Sequence, residues 1–166
     1  MQRKSTAYMP CPIARSLDRV GDWWSILIIR DALYGLKRFD EFQQSLGIAP
    51  NMLTRRLGQL VGAGLLERRL YNERPPRYEY LLTESGRDFR PVVLSLLAWG
   101  NKHFAPEGPS VVVVDTDSGR TADPVLVDRI SGEPMTTPRF RVAAGPAANA
   151  KVRRRYSQAP AERDPA

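Results

Sequence analysis

Asp40-Glu-Phe-Gln-Gln-Ser-Leu-Gly-Ile-Ala-Pro-Asn51-Met-Leu-Thr-Arg-Arg-Leu-Gly-Gln-Leu-Val-Gly-Ala63-Gly64 is the stretch on which the fold turns. It reads as two helices around a tight turn. Asp40 is a candidate N-cap with Gln43 three residues on, as in a capping box, and Phe42 and Leu46 face inward. Gly47–Pro50 makes the turn. The second helix runs from Asn51 to about Ala63 and is ended by Gly64. Helix, Gly-containing turn and helix together specify a helix-turn-helix.

The flanking sequence completes the unit. Upstream, Cys11–Leu33 holds two helices. Ile13, Ala14, Leu17 and Val20 repeat at helical spacing after Pro12, and Gly21 ends the first helix. Asp22 caps the second, from Trp23 to about Leu33, whose nearly all-round apolar surface predicts a buried central helix. Downstream, Leu65–Tyr71 and Tyr78–Leu82 flank Asn72–Arg77 as a β-hairpin. Pro75 and Pro76 have no N–H to donate, so the tip is expected to lie outside the ladder. A last helix is expected from Thr83 to about Phe104, kinked near its first third by Pro91.

The expected fold class is therefore mainly α with a small β-hairpin wing: a winged helix-turn-helix, plus a short C-terminal β-containing extension. Four segments follow. Residues 1–10 form a disordered or extended arm, and residues 11–104 the winged domain. Residues 105–144 form the extension, with short strands expected at Val111–Val114, Val125–Ile130 and Phe140–Val142. Residues 145–166 are expected to be a disordered basic tail. No internal repeat is evident.

The charge is +7 and sits unevenly. Residues 1–104 hold 16 Lys/Arg against 10 Asp/Glu, net +6, and residues 105–166 hold 9 against 8, net +1. A polyanionic partner fits the first part, although charge alone is a weak signal. One cysteine and one histidine exclude an intramolecular disulfide and a cysteine or histidine metal site; no metal and no cofactor are expected. Met1–Pro10 has no apolar run of the secretory kind, and no stretch is long enough to span a membrane. The cytoplasm is the expected compartment.

On a wheel of 100° per residue, Leu53, Leu57, Leu60 and Val61 of the fourth helix fall within one stripe of about 100°. Asn51, Met52, Arg55 and Gln59 lie opposite, with Thr54 and Arg56 on the flanks. Arg suits guanine, Asn or Gln adenine, and an apolar methyl thymine in the major groove. Any surface helix also turns polar groups outward, so the wheel alone leaves both readings open. The hairpin adds weight: Arg68, Arg69, Arg74 and Arg77 crowd into ten residues, where a merely solvated hairpin would mix signs. Such arginines reach phosphates or a narrow minor groove.

Cys11, ahead of Pro12, would cap the first helix, where the dipole and free N–H groups stabilise a thiolate, with Arg15 one turn on. A packed thiol with no regulatory role is the alternative. Trp23, Trp24 and Trp99 are candidates for an effector pocket, or for core and dimer contact, which fits their apolar setting better. An interaction or RNA-binding module is a second functional class, but it predicts an apolar or acidic face where Asn51, Arg55 and Arg56 stand. An enzyme built on residues 105–166 is a third. That segment offers no His or Cys, and its carboxylates sit at turns without diagnostic spacing.

Cys11-Pro-Ile-Ala-Arg-Ser-Leu and Gly21-Asp-Trp-Trp-Ser-Ile-Leu-Ile-Ile-Arg-Asp31 resemble the opening of the HxlR-type regulators, relatives of the MarR group. So do Arg38-Phe-Asp-Glu-Phe, Ile48-Ala-Pro-Asn-Met-Leu-Thr-Arg-Arg-Leu57, Gly64-Leu-Leu-Glu-Arg-Arg69 and Pro76-Arg-Tyr-Glu-Tyr-Leu-Leu-Thr-Glu84. The likeness covers residues 11–104. It implies a transcription regulator, expected to be a repressor, that binds a double-stranded DNA operator as a homodimer formed by the first and last helices. The two recognition helices would enter successive major grooves, ~10 base pairs or ~34 Å apart. The DNA-contacting set is then Arg38, Asn51, Met52, Thr54, Arg55, Arg56, Gln59, Arg74 and Arg77. Some members of the family sense oxidants, quinones or aldehydes through a cysteine at the position of Cys11, and a small-molecule effector is a further expected partner. Some relatives carry paired cysteines in a ribbon after the last helix. Asp115–Pro134 has none here, so no zinc is expected.

Overall fold

Apolar residues recur at helical spacing through the helices that open this chain, and the computed structural model shows where they settle. It describes residues 5–136 and 139–157. Helices α1 (Pro12–Val20) and α2 (Trp23–Leu33) come first, then α3 (Phe39–Leu46) and α4 (Pro50–Gly62). Strands β1 (Leu66–Glu73) and β2 (Pro76–Leu82) follow, then α5 (Glu84–Arg87) and α6 (Arg90–His103). Beyond them lie β3 (Val113–Val114), β4 (Thr121–Ala122) and α7 (Ala150–Ser157). The first six helices and the antiparallel β1–β2 hairpin make the winged helix-turn-helix that the pattern predicts.

One core sits between α2, α3, α4 and the root of the hairpin. Phe42, Ile28, Ile29, Leu53, Leu57, Leu60 and Leu66 are fully buried there, each side chain contributing roughly 1.5–3 kcal/mol. Val20, Ile48 and Leu65 complete it, and Trp24 and Phe89 pack against it. The buried carboxylate of Asp31 is paired on both oxygens. It accepts from Arg30 Nε at 2.8 Å and from Ser45 Oγ at 2.7 Å, which ties α2 to α3. Trp23 departs from the expected all-round burial of α2, being 67% exposed and stacked on Trp24.

Several local expectations change. Arg38, not Asp40, is the N-cap of α3. Glu41 takes the capping-box role expected of Gln43, accepting the N–H groups of Lys37 and Arg38 at 2.8 Å each. A carboxylate prevails over an amide because it is an anion facing the helix dipole, and these two backbone bonds hold its pKa below the ordinary range. The hairpin ladder runs further than expected, to Glu73 opposite Pro76, after a register shift at Leu70/Asn72. A proline is accepted where a pair exchanges no N–H···O bond. Asn72 Nδ2 closes the tip on the carbonyls of Arg74 and Pro75 at 3.3 and 3.0 Å.

Pro91 breaks the last helix where a kink was expected. Its ring would clash with the carbonyl four residues back, which belongs to Arg87, and α5 ends there. Thr83 caps α5 by accepting from Gly86 N at 3.1 Å and donates to the Gly64 carbonyl at 2.7 Å. Gly86 packs its Cα face on Leu65: a Cβ there would lie 2.1 Å from the Leu65 carbonyl oxygen.

The extension hides a repeat. Asp115-Thr-Asp-Ser-Gly119 and Asp128-Arg-Ile-Ser-Gly132, thirteen residues apart, form the same turn. In each, the aspartate accepts from the serine hydroxyl, at 2.6 Å for Ser118 and 2.8 Å for Ser131. The glycine N–H returns to the aspartate carbonyl at 2.8 and 2.7 Å, with Gly119 and Gly132 at φ +70° and +72°. The paired positions match too, Val114 with Thr121 and Val127 with Pro134. Of the expected strands, only Val113–Val114 is a strand; Val127 makes an isolated bridge, and Phe140–Val142 form none. Nor is the tail without structure, since Ala150–Ser157 are helical. Residues 158–166 of that tail, and 1–4 of the N-terminal arm, lie outside the described residues. Within the arm, Thr6 N donates to Asp18 Oδ1 at 2.7 Å, which fastens it to α1. Among the described residues, no helix is long and apolar enough to cross a membrane.

Candidate nucleic-acid interface

Helix α4 is held by its leucines and turns its other face out. Pro50 fills the first turn without wasting an N–H. With Leu53, Leu57 and Leu60 fully buried, Asn51, Thr54, Arg55 and Gln59 are exposed and Met52 is half-buried against the core. Asn51 Oδ1 accepts from Met52 N at 2.7 Å, which leaves the amide nitrogen of this exposed side chain available as a donor. Thr54 donates to the Pro50 carbonyl at 2.9 Å, which leaves the hydroxyl an acceptor. Arg55 makes no ion pair among the described residues.

Its neighbour Arg56 is engaged inward. Nη2 pairs with Asp22 Oδ2 at 2.6 Å, Nη1 donates to Gln59 Oε1 at 2.8 Å, and the side chain is only 16% exposed. Its Nε is buried without a hydrogen-bond partner among the described residues. Asp22 also caps α2, accepting from Trp24 N at 3.1 Å, so this one carboxylate locks α4 onto the start of α2. Arg55 and Arg56 therefore hold different positions, although both stand in the candidate set.

The hairpin arginines also divide. Arg68 lies over the Tyr78 ring at 3.5 Å, and Arg69 pairs with Glu79 at 2.6 Å, so both are spread along the ribbon. Arg74 and Arg77 are exposed near the tip. Arg38 sits on a third short edge. Tyr80 N donates to the Lys37 carbonyl at 2.7 Å and Arg38 bridges Glu79. Its guanidinium lies over the Tyr71 ring at 4.8 Å. A cleft of about 480 Å³ brings Arg38 and Arg77 together with Tyr71 and Tyr78. Tyr71 and Asp22 are the residues that sequence reasoning missed. Tyr71 ends the first apolar-aromatic run, at the register shift between Leu70 and Asn72, and Tyr78 opens the second, opposite Leu70.

Cys11 is the half-buried N-cap of α1, in extended conformation ahead of Pro12. Arg15, one turn on, donates from Nε to the Met9 carbonyl at 2.8 Å. Of the tryptophans, Trp24 joins the core, while Trp99 lines a second cleft of about 680 Å³ between α6 and the extension. Asn101 Nδ2 fastens that cleft by donating to the Val111 carbonyl at 2.9 Å.

With this geometry in place, the chain is similar to known regulators. The profile of the HxlR-like helix-turn-helix family matches residues 19–108. An uncharacterized HTH-type transcriptional regulator of Mycobacterium tuberculosis is 38% identical over 141 residues, spanning 84% of this chain and 89% of that one. A solved structure of a proposed transcription factor from Pseudomonas aeruginosa is 55% identical, with TM-score 0.64, covering 87% of this chain and 99% of that one. The redox regulator HypR in its reduced form is 36% identical with TM-score 0.53, covering 55% of this chain and 92% of that one.

Proposed function

This chain belongs to the HxlR-like helix-turn-helix family and is a transcription regulator with a winged helix-turn-helix fold; from that premise we propose that it is a homodimeric repressor reading a duplex operator through α4. The observation that carries this is the two-faced helix: Leu53, Leu57 and Leu60 wholly buried, Asn51, Thr54, Arg55 and Gln59 outward. Asn51, Met52, Thr54 and Arg55 stand in the first two turns, the part of a recognition helix that meets base edges. Arg74 and Arg77 on the wing, with Arg38 at its base, supply phosphate contacts that set register without reading sequence.

Residues 11–104 serve as the DNA-binding and dimerisation domain. Support for a dimer comes from apolar side chains left outside the core on α1 and α6. Ile13 is 71% and Trp99 56% exposed, with Leu17, Val92 and Leu96 also open, and patches of this kind mark interaction surfaces. For a small-molecule effector the cleft beside Trp99 has the size of a ligand pocket. Cys11 is the candidate redox or electrophile sensor, a reading to which the likeness to HypR lends support. Lacking a second cysteine, it would form a disulfide only with its counterpart in another subunit or with a small thiol.

The test is a titration of the protein into a labelled duplex from the region upstream of its own gene, repeated across salt concentrations. Arg74→Ala with Arg77→Ala should weaken every sequence alike and flatten the log–log salt slope by about 1.8, roughly 0.9 for each phosphate no longer neutralised. A weakening confined to one sequence contradicts the wing assignment. Binding to single-stranded RNA in preference to any duplex favours the interaction-module class instead. Cys11→Ser should bind the operator yet ignore diamide; a response equal to the parent's removes Cys11 from the account.

A further inference from the structure

The charge of residues 105–157 is sorted into two blocks. Residues 105–136 carry Glu107, Asp115, Asp117, Asp123, Asp128 and Glu133 against Arg120 and Arg129. Residues 139–157 carry Arg139, Arg141, Lys151, Arg153, Arg154 and Arg155 and no acid at all. Four of those six cations sit on α7, and all four are exposed.

Helix α7 is a poor helix by its own chemistry. It has eight residues, short of the ~12–15 at which an isolated helix holds in water. Lys151, Arg154 and Arg155 stand at i, i+3 and i+4, where like charges repel. Asn149 helps, its Oδ1 accepting from Val152 N at 3.0 Å, and Val152 and Tyr156 are half-buried on the other side. That leaves a stripe of three cations, Lys151, Arg154 and Arg155, across about 100° of the surface, with Arg153 turned to the opposite side.

Nothing among the described residues neutralises that stripe. Lys151, Arg153, Arg154 and Arg155 make no ion pair there. Arg153 reaches the Pro146 carbonyl, at 3.3 Å, and Arg155 lies 5.9 Å from the Tyr156 ring centre. The acidic block of residues 105–136 is not its partner: among the described residues the two blocks meet in one pair, Arg139 with Glu133 at 3.1 Å. A membrane surface is a poor fit as well, since a membrane-lying helix needs a broad face of Trp, Phe or Leu and α7 offers Val152 and Tyr156. A row of phosphates matches in charge, and it would relieve the repulsion along the helix. The linker Val142–Asn149 is built of Val, Ala, Gly, Pro and Asn and spans up to ~26 Å when extended.

We infer that α7 is a second, sequence-independent DNA contact that grips the phosphate backbone of the duplex held by α4 and the wing. The inference rests on the duplex-binding reading above. The test uses the full-length protein with a labelled mixed-sequence duplex of about 40 base pairs, four helical turns, and measures affinity against salt. The variant Lys151→Gln, Arg153→Gln, Arg154→Gln, Arg155→Gln should flatten the log–log slope by about 0.9 for each phosphate released, about 2.7 for the three cations of the stripe. Flattening by less than about 1, or tighter binding, overturns the inference. Because α7 lies outside the core, the melting temperature should not move; Arg154→Glu alone, expected to flatten the slope by at least one phosphate's share, serves as a second variant should the quadruple one misfold. Arg153→Lys, Arg154→Lys, Arg155→Lys should keep the parental slope, and a flattening equal to that of the glutamine variant rules out charge as the agent. A parent protein that binds no duplex at low salt refutes the α4 and wing reading. A parent that binds, with an unaltered slope in the variants, refutes the α7 inference alone.

Discussion

Arg55 and Arg56 are chain neighbours with the same side chain, and the structure assigns their replacement opposite consequences. In Arg56→Ala, the ion pair to Asp22 at 2.6 Å and the bond to Gln59 at 2.8 Å both vanish. Asp22 then stays behind, only 20% exposed and without its cation. Hydrogen bonds to charged groups contribute roughly 1.5–3 kcal/mol when buried; with both partners partly wetted, a total of about 2 kcal/mol is reasonable. At about 2–4 °C per kcal/mol for a chain of this length, Tm should fall by about 4–8 °C. Asp22→Ala removes the cap of α2 as well, adding about 1 kcal/mol. The double variant should cost clearly less than the sum of the two single ones, since they share a partner. Arg55→Ala, at an exposed position outside any ion pair among the described residues, should change stability by no more than about 0.5 kcal/mol. It should instead weaken operator binding by about 1–3 kcal/mol, roughly 5- to 150-fold, and relax one base preference. Thermal melts at one fixed protein concentration, beside gel-shift titrations, separate the two effects. Equal Tm for both variants with equal losses of operator affinity would show that both arginines face the duplex, and would refute the division drawn here.

Gly86→Ala should be among the most damaging small substitutions in the protein. The new Cβ meets a backbone carbonyl at 2.1 Å, and a cost of about 3 kcal/mol or more is expected; chemical denaturation that finds less than about 1 kcal/mol denies the close approach of α5 to Leu65. The two turns of the extension should loosen in acid. Asp115 and Asp128 are held below the usual 3.8, chiefly by the hydroxyls of Ser118 and Ser131. A carboxylate with a lowered folded pKa lends stability that is complete above the unfolded value and is lost as pH falls through the folded one. The amide resonances of Gly119 and Gly132 should therefore move together below 3.8, and shifts that complete well above it contradict the Asp–Ser assignment.

The winged core was legible because its signals are local and agree with one another. The leucine stripe of α4, the Gly21 and Gly47 stops and the paired aromatic runs of the hairpin each follow from spacing alone. Where two residues competed for one role the reading slipped. Asp40 and Glu41 both suit a helix start, and only the chain's path showed that Glu41 reaches the Lys37 and Arg38 amides. The wheel placed Arg56 on a flank but could not show that Asp22, thirty-four positions away, would claim it. Beyond Phe104 the signals thin out. The repeated turn keeps only Asp, Ser and Gly of each five-residue unit, too few to stand out from turn composition. The composition of α7 suggested a solvated tail, although Lys and Arg are good helix formers and Asn149 stood ready as a cap.

The claim at the centre of the account is that two copies of this chain present two α4 helices to one duplex. A hydroxyl-radical footprint on the region upstream of its own gene tests it most directly. Two protected stretches are expected on one side of the helix, centred ~10 base pairs apart, and both lost in Arg55→Ala at a concentration that protects them in the parent. A single unrepeated stretch, or protection that ignores Arg55, contradicts it.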